Sequence, residues 1–250
     1  MPLIDGRRPT MLLIDAHVHI HEGVDPYAAI VGAHARMVRR AGEDVQPVFL
    51  LAEQQGRHMH DALRLQAMPS GEPESLWVGA RRRALVVAGR QIVTREKLEI
   101  LALATTADLP DGLPSEEVLE RLGETDALVV LPWGVGKWIG RRGRLVERLL
   151  AQDRDGRLML GDIGGRPGFW PVRGFRTRTV LRGSDPLPIP GGAGRIGGYG
   201  FFLNAALSPD RPARDLRAAL RSMADAAAPY GKTASPFRFF NEQFRLRLAT

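Results

Sequence analysis

The residues best suited to chemistry lie near the start of the chain, where an apolar run is followed by three histidines at alternate positions. The segment Met11–His21 reads MLLIDAHVHIH. Four apolar residues in a row are typical of a strand buried on both faces. Beyond Asp15 the pattern alternates, so His17, His19 and His21 should project from one face of the strand. Imidazole nitrogens two residues apart on a strand can bind one cation, such as zinc, iron, manganese or nickel. The alternative is a strand end with polar residues on its solvent side, but three histidines on one face favour a metal site.

Three acidic residues lie where other apolar strands are expected to end. Glu53, Asp162 and Asp185 each follow an apolar run and precede a loop that contains Gly or Pro. Because the carboxyl ends of parallel strands carry the functional site in α/β folds, we expect these carboxylates to share one rim with the histidines. The expected metal ligands are His17, His19, Glu53 and Asp185. Asp185 and Asp162 are the expected catalytic residues, with Asp185 as general base. For each acid alone, the alternative is a helix N-cap or a turn residue.

Two short segments carry a family resemblance. Ile14–His19 (IDAHVH) resembles the first-strand motif of the amidohydrolase superfamily, which includes the TatD-type nucleases, and is similar to the opening motif of PHP-type phosphoesterases. Val180–Pro186 (VLRGSDP) resembles the late-strand Gly-Ser/Thr-Asp segment of amidohydrolases. The resemblance implies a metal-dependent hydrolase on a (β/α) barrel, often distorted, in which both histidines of His-x-His bind metal and the Asp touches the metal and handles protons. No histidine follows His60, whereas these families use later ones, so the site should be mononuclear, carboxylate-rich or degenerate.

A glycine-rich segment, Gly134–Arg144, indicates an anion site. Glycine backbone presents N–H groups near the start of a helix, and Lys137 and Arg141 add positive charge. The segment is not a phosphate loop, because Trp138 stands where that loop requires Ser or Thr. Lys137, Arg141 and Arg166 are therefore the expected substrate-binding residues. The alternative is a basic surface loop.

Strand and helix signals alternate along much of the chain. Asp25-Pro26 should begin a helix that ends at Gly42, and a second strand follows over 46–53, which gives a β-α-β unit. Residues 84–104 indicate an inserted antiparallel ribbon, and the rival interpretation is a barrel strand followed by a helix. We expect residues 1–250 to form a single domain, a distorted TIM-like (β/α) barrel with this ribbon inserted. An open doubly wound sheet is the second possibility.

Composition limits the classes of partner. The chain has 250 residues, a formal net charge of +7 and no cysteine, which excludes disulfides and thiolate metal sites. It shows no signal peptide and no apolar stretch long enough to span a bilayer, so we expect a cytoplasmic protein without a membrane partner. The positive charge, nearly all from arginine, suits an anionic substrate. Because no aromatic residues interleave with it in the manner that stacks bases, nucleic acid is not the expected partner.

The sequence therefore favours a metal-dependent hydrolase that acts on a small anionic substrate, with zinc, manganese or iron as the divalent metal. A barrel protein that has lost ligands and keeps a binding or scaffold role is the second hypothesis, and the missing later histidines favour it. A TatD-like nuclease is the third.

Overall fold

The computed structural model describes residues 9–80, 83–223 and 227–249. Twelve strands and six α-helices lie within these ranges, and every strand belongs to one of two sheets. The strands are β1 Thr10–Val18, β2 Val45–Leu51, β3 Met68–Pro69, β4 Ser75–Val78, β5 Ala84–Val87, β6 Gly89–Val93, β7 Glu99–Leu103, β8 Leu128–Pro132, β9 Leu158–Ile163, β10 Val180–Gly183, β11 Tyr199–Ala205 and β12 Pro229–Gly231. The helices are α1 Pro26–Ala41, α2 Met59–Arg64, α3 Ser115–Gly123, α4 Gly140–Gln152, α5 Pro212–Arg221 and α6 Pro236–Ala249.

β1 lies in the middle of the larger sheet. This seven-stranded sheet has the order β12-β11-β1-β2-β5-β4-β3, and β1 pairs in parallel with β2 and antiparallel with β11. Leu12, Leu13 and Ile14 are fully buried, as expected of an apolar run covered on both faces. The start of the chain's histidine segment is therefore held rigidly by a strand on each side.

The predicted first helix is α1, which connects β1 to its parallel neighbour β2. The carboxylate of Asp25 caps it by accepting hydrogen bonds from two N–H groups of the first turn, and Pro26 occupies the first helical position. Gly42 ends it with a φ of 95°, a conformation that glycine adopts at little cost. Within the described ranges, no helix combines the length and apolarity needed to cross a membrane.

The expected TIM-like barrel is wrong. The remaining strands form a separate five-stranded sheet of order β10-β9-β8-β7-β6, and in the described part of the chain no ladder closes the two sheets into a barrel. A barrel needs crossover connections that return each strand parallel to its neighbour. Here β3, β4 and β5 pair antiparallel at one edge of the larger sheet, and β6, β7 and β8 do so in the smaller one.

The ribbon expected over residues 84–104 is divided between the two sheets. β5 pairs in parallel with β2, whereas β6 forms a hairpin with β7 in the smaller sheet. The chain passes from one sheet to the other at Gly89, the first residue of β6. Its backbone runs so close to β2 there that a Cβ atom would lie 2.4 Å from the carbonyl oxygen of Leu51, so glycine is required. The hairpin is thus part of the smaller sheet and not an insertion.

The two sheets approach each other along two seams, where isolated backbone hydrogen bonds take the place of ladders. At the first seam the N–H of Asp185 donates to the carbonyl oxygen of His17 at 2.9 Å. At the second seam the N–H of Glu53 donates to the carbonyl oxygen of Gly89 at 3.0 Å. Apolar side chains from both sheets form one core between them, which includes Ile14, Leu50, Leu101, Val130, Met159 and Phe201. The first seam places the end of β1 beside the turn that follows β10.

The contact between β1 and β11 leaves no room for a side chain at Gly200. A Cβ atom there would lie 2.0 Å from the carbonyl oxygen of Ile14, so Gly200→Ala must push β11 away from β1. We expect this substitution to lower the free energy of unfolding by about 3 kcal/mol. Urea unfolding should show the loss as a lower midpoint with an unchanged slope. Gly123→Ala is the matched control, because nothing lies within 4 Å of its Cβ position at the end of α3, and it should leave stability unchanged or slightly higher. Equal stability of the Gly200→Ala variant and the control would contradict this packing.

Candidate metal centre

His17, His19 and Asp185 converge at the carboxyl end of β1. The Nε2 atoms of His17 and His19 lie 3.0 Å apart, and Oδ1 of Asp185 lies 3.7 Å from the first and 3.5 Å from the second. Among the residues that the structure describes, these three side chains form a group that could hold a metal ion. Both imidazoles are buried, while the Asp185 side chain is 21% exposed. The group therefore meets solvent on its carboxylate side.

The spacing of these three atoms suits a divalent cation. Ligand atoms about 2.0–2.2 Å from a tetrahedral zinc ion stand about 3.3–3.6 Å from one another. The observed separations of 3.0, 3.5 and 3.7 Å are close to that range. Without a cation, the two imidazole nitrogens need a proton between them, because facing lone pairs repel. Three protein ligands would leave a coordination position open, which is typical of catalytic sites and not of structural ones.

The electrostatics favour the protonation states that a metal requires. Burial, and then repulsion from His17, lowers the pKa of His19 to about 3, so its imidazole is neutral at physiological pH. Burial by itself would raise the pKa of Asp185, but the imidazoles of His17 and His19 and the ammonium of Lys137 outweigh it and lower that pKa. A neutral imidazole and an ionised carboxylate are the forms that bind divalent metals.

The buried carboxylate of Asp15 holds together the backbone segments that carry these ligands. Its Oδ1 accepts hydrogen bonds from the N–H groups of Ser184 at 2.8 Å and His17 at 3.3 Å, and its Oδ2 accepts one from Gly197 at 2.8 Å. Burial raises the pKa of Asp15 to about 6 against the effect of these hydrogen bonds, so the carboxylate is ionised at neutral pH. Because Ser184 directly precedes Asp185, Asp15 positions one ligand through its neighbour.

Asp185 occupies a strained turn that several contacts maintain. Its φ is 45°, in the left-handed region, which costs a residue with a side chain about 1 kcal/mol or more. The Nε2 atom of His21 lies 2.7 Å from the carbonyl oxygen of Pro186, and the ring of His21 stacks on that of His19 with centroids 5.9 Å apart. His21 therefore supports the turn that presents Asp185 and does not join the group of three.

Glu53, the fourth expected ligand, is used elsewhere. Its Oε1 accepts a hydrogen bond from the backbone N–H of His60 at 2.6 Å, so the carboxylate satisfies the amino end of α2. Burial raises its pKa. A small cavity, about 10 Å³ in volume, is bordered by Glu53, His19 and His21. The prediction that Glu53 follows a strand at the same rim agrees with the structure, but its carboxylate caps a helix.

Asp162 and Arg166, the residues expected to serve catalysis and substrate binding, form an ion pair with each other. The guanidinium of Arg166 donates to both carboxylate oxygens of Asp162, at 2.6 and 3.0 Å, and the hydroxyl of Tyr199 donates to Oδ2 at 2.7 Å. Arg166 also donates to the carbonyl oxygen of Trp170 at 2.7 Å, and its guanidinium lies 5.5 Å from the ring centroid of Phe175. The guanidinium of Arg166 therefore has its donors engaged within the protein, and 12% of its side chain is exposed.

Of the two remaining expected substrate-binding residues, Lys137 is the one tied to the centre. Its ammonium pairs with the carboxylate of Glu99 and is near enough to Asp185 to lower the pKa of that carboxyl. Arg141 is exposed in the first turn of α4, which carries no acidic residue. The backbone turn at Gly134 brings Lys137 back toward the strand ends, since a Cβ atom at Gly134 would lie 2.5 Å from the Lys137 side chain.

A large cavity lies away from this chemistry. About 940 Å³ in volume, it is lined by the starts of β8 and β9 and by α3 and α4, at the amino ends of the strands. Two acidic residues on its wall are already paired, Asp153 with Arg178 and Glu116 with Arg148. The arrangement of ligand atoms, and not the size of a cavity, identifies the candidate site.

Comparison with known proteins identifies the fold and no more. No protein-family model and no curated protein matches the chain. PsfC from Pseudomonas syringae PB-5123 superposes with a TM-score of 0.60 and 11% identity, over 96% of this chain and 100% of its own. The lesion-specific endonuclease PfuEndoQ from Pyrococcus furiosus superposes with a TM-score of 0.57 and 13% identity, over 88% of this chain and 57% of its own. Endonuclease Q, in complex with a 27-mer duplex substrate with an abasic lesion at the active site, superposes with a TM-score of 0.55 and 12% identity, over 89% of this chain and 58% of its own. The chain thus spans less than two thirds of the endonucleases.

The placement of Asp162 predicts a loss of stability when its charge is removed. Asp162→Asn leaves the guanidinium of Arg166 buried without its partner, so the free energy of unfolding should fall by about 3 kcal/mol. Tyr199→Phe is the matched control, because it removes one hydrogen bond to the same carboxylate and should cost about 1 kcal/mol. Urea unfolding measures both. An Asp162→Asn variant of unchanged stability would contradict the structural role.

His60 predicts an acid-sensitive step in stability. It is 4% exposed, its Nε2 has no hydrogen-bond partner among the described residues, and burial lowers its pKa to about 4. Below about pH 6.5 the unfolded chain binds a proton at His60 while the folded chain does not, so the free energy of unfolding decreases as the pH is lowered from about 6.5 to about 4. Lowering the pH from about 7.5 to about 5 should reduce the free energy of unfolding by about 2 kcal/mol through this residue. His60→Leu should lose that part of the pH dependence in urea unfolding, and equal pH dependence of both proteins would contradict the assignment.

Proposed function

We propose that this chain is a metal-dependent hydrolase whose divalent cation is held by His17, His19 and Asp185. The observation that carries the proposal is the convergence of two imidazole nitrogens and one carboxylate oxygen within 3.0 to 3.7 Å of one another. They lie at the carboxyl ends of parallel strands, where α/β folds place their sites. A cation bound there would supply Lewis-acid chemistry, polarising an ester oxygen and making water more acidic.

The other parts of the site suit an anionic substrate. Lys137 brings a positive charge to the edge of the group, and the partly exposed carboxylate of Asp185 can reach a reacting water with its second oxygen, Oδ2. Asp185 would therefore accept a proton there while Oδ1 faces the imidazoles. Glu99 neutralises Lys137 in the free protein, so an anionic substrate would compete with Glu99 for that ammonium. A phosphoester is the substrate class that this arrangement supports best.

Nuclease activity is the second candidate. Two of the similar solved structures are endonucleases, one of them in complex with a 27-mer duplex substrate, and the chain carries a net charge of +7. The expectation that nucleic acid is not a partner is weakened by these neighbours. Because the identities are 12% and 13%, the likeness supports the fold, and the substrate has to come from experiment.

Metal binding separates the catalytic proposal from a scaffold role. Isothermal titration of chelator-treated protein with zinc and with manganese should show one site per chain for the wild type. His17→Ala/His19→Ala should abolish it, whereas His34→Ala, which removes a histidine on α1, should not. Wild-type protein that binds neither metal would contradict the proposal.

Hydrolysis tests the role of Asp185. With metal bound, the wild type should hydrolyse bis(p-nitrophenyl) phosphate, and Asp185→Asn should be slower by two decades or more, within the range of roughly 10²–10⁴ for a general base. Asn tolerates the left-handed backbone at this position, so the variant should keep its melting temperature. A metal-loaded wild type without activity on phosphodiesters, phosphomonoesters or amides would favour the scaffold role.

A further inference from the structure

Helix α6 presents an exposed row of aromatic rings. Phe237, Phe240 and Phe244 are 80%, 63% and 63% exposed, although residues of this type are usually buried. At about 100° per residue, positions three, four and seven apart lie within about 60° of one another around the helix axis, so the three rings share one side of the helix. We call these three residues the aromatic face of α6. Phe239 and Glu242 point to the opposite side and are buried.

The buried side of α6 fastens the helix over the carboxyl ends of the smaller sheet. Phe239 packs in one cluster with Trp133, which follows β8, and Ile163, which ends β9. Glu242 accepts a hydrogen bond from Arg195 at 2.5 Å, two residues before the Gly197 that binds Asp15. The aromatic face therefore lies at the same end of the sheets as the candidate metal centre.

Further rings and cations border the aromatic face. Phe169 is 60% exposed, and its loop runs beside the start of α6, where Pro167 bridges to Ala234. Arg238 and Arg245 lie seven residues apart on α6, about 100° around the helix from Phe237, and both are exposed. Arg238 is paired with Glu242, to which its Nε donates at 2.7 Å, so Arg245 is the one of the two that brings a further cation beside the face. Phenylalanine and arginine thus interleave in α6, contrary to the expectation from composition. Aromatic rings combined with cations bind single-stranded nucleic acid, because every base has a face that stacks.

We propose that the aromatic face of α6 binds single-stranded nucleic acid by stacking its bases and so guides a polymeric substrate to the candidate metal centre. The guidance rests on the proposed hydrolase function, whereas the binding does not. The three rings expose roughly 400 Å² together, at about 200 Å² per ring. A stable pairing with a second copy needs about 800 Å² on each partner, so this face alone is too small for a dimer. Stacking needs only one ring per base.

Binding of a labelled oligo(dT) of about 20 nucleotides tests the proposal. Fluorescence anisotropy is measured at about 100 mM salt in EDTA, so that no hydrolysis interferes. Phe237→Ala/Phe240→Ala/Phe244→Ala should weaken binding at least 20-fold, since each stacked ring contributes roughly 5–150-fold. The corresponding triple tyrosine variant keeps the rings and should bind within about threefold of the wild type. Leu65→Ala is the surface control, because Leu65 is 87% exposed on another helix end, and it should bind like the wild type.

A triple leucine variant of the aromatic face separates stacking from apolar contact. It keeps the apolar surface without the rings, so its affinity for oligo(dT) should fall like that of the alanine variant. A leucine variant that binds as tightly as the wild type would overturn the proposal. So would a wild type that binds phosphatidylglycerol vesicles and not oligo(dT), since Phe and Arg on one helix also suit a lipid surface. Because the assay contains EDTA, its failure leaves the metal and hydrolysis experiments standing, and their failure leaves this result standing.

Discussion

The buried carboxylate of Asp15 is the interaction on which the site depends. It lies at the seam where the end of the larger sheet meets the turn after β10, and it binds N–H groups from both sides of that seam. A carboxylate that is 0% exposed is costly, and its three backbone donors offset that cost by satisfying its oxygens. Close approach is possible because Gly183 carries no side chain, since a Cβ atom there would lie 2.2 Å from the backbone nitrogen of His17. The two sheets thereby bring His17 and His19, at the end of β1, together with Asp185, in the turn after β10.

The sequence predicted the parts of the site that depend on local pattern. The apolar run of β1, the caps of α1 and the alternation that puts His17 and His19 on one face follow from neighbouring residues alone. Asp185 was expected from its place after an apolar run and from the resemblance of Val180–Pro186 to a late-strand segment, and its Oδ1 lies 3.5 Å from Nε2 of His19. These are features in which a few adjacent residues decide the conformation.

The sequence does not show which partner each acidic side chain binds. Glu53 and Asp162 have the same sequence context as Asp185, but one caps α2 and the other pairs with Arg166 and Tyr199. Tyr199 is 37 residues away in the chain, so no local pattern shows that it will bind Asp162. The expected barrel is wrong because β3 to β5 and β6 to β8 pair antiparallel, and these pairings join segments whose contact the local pattern does not show. The hydrogen bonds from Ser184 and Gly197 to Asp15 also join distant segments of the chain. The sequence alone shows only that Asp15 is a polar residue within an apolar run.

We propose that His17, His19 and Asp185 bind one divalent cation together. Crystals grown with zinc or manganese, with data collected at the absorption edge of the metal, provide the test. We expect one strong anomalous peak bonded to the Nε2 atoms of both histidines and to Oδ1 of Asp185, at about 2.0–2.2 Å. A map without a peak at this position, or with its strong peak at Glu53 or Asp162 instead, would rule out this metal centre.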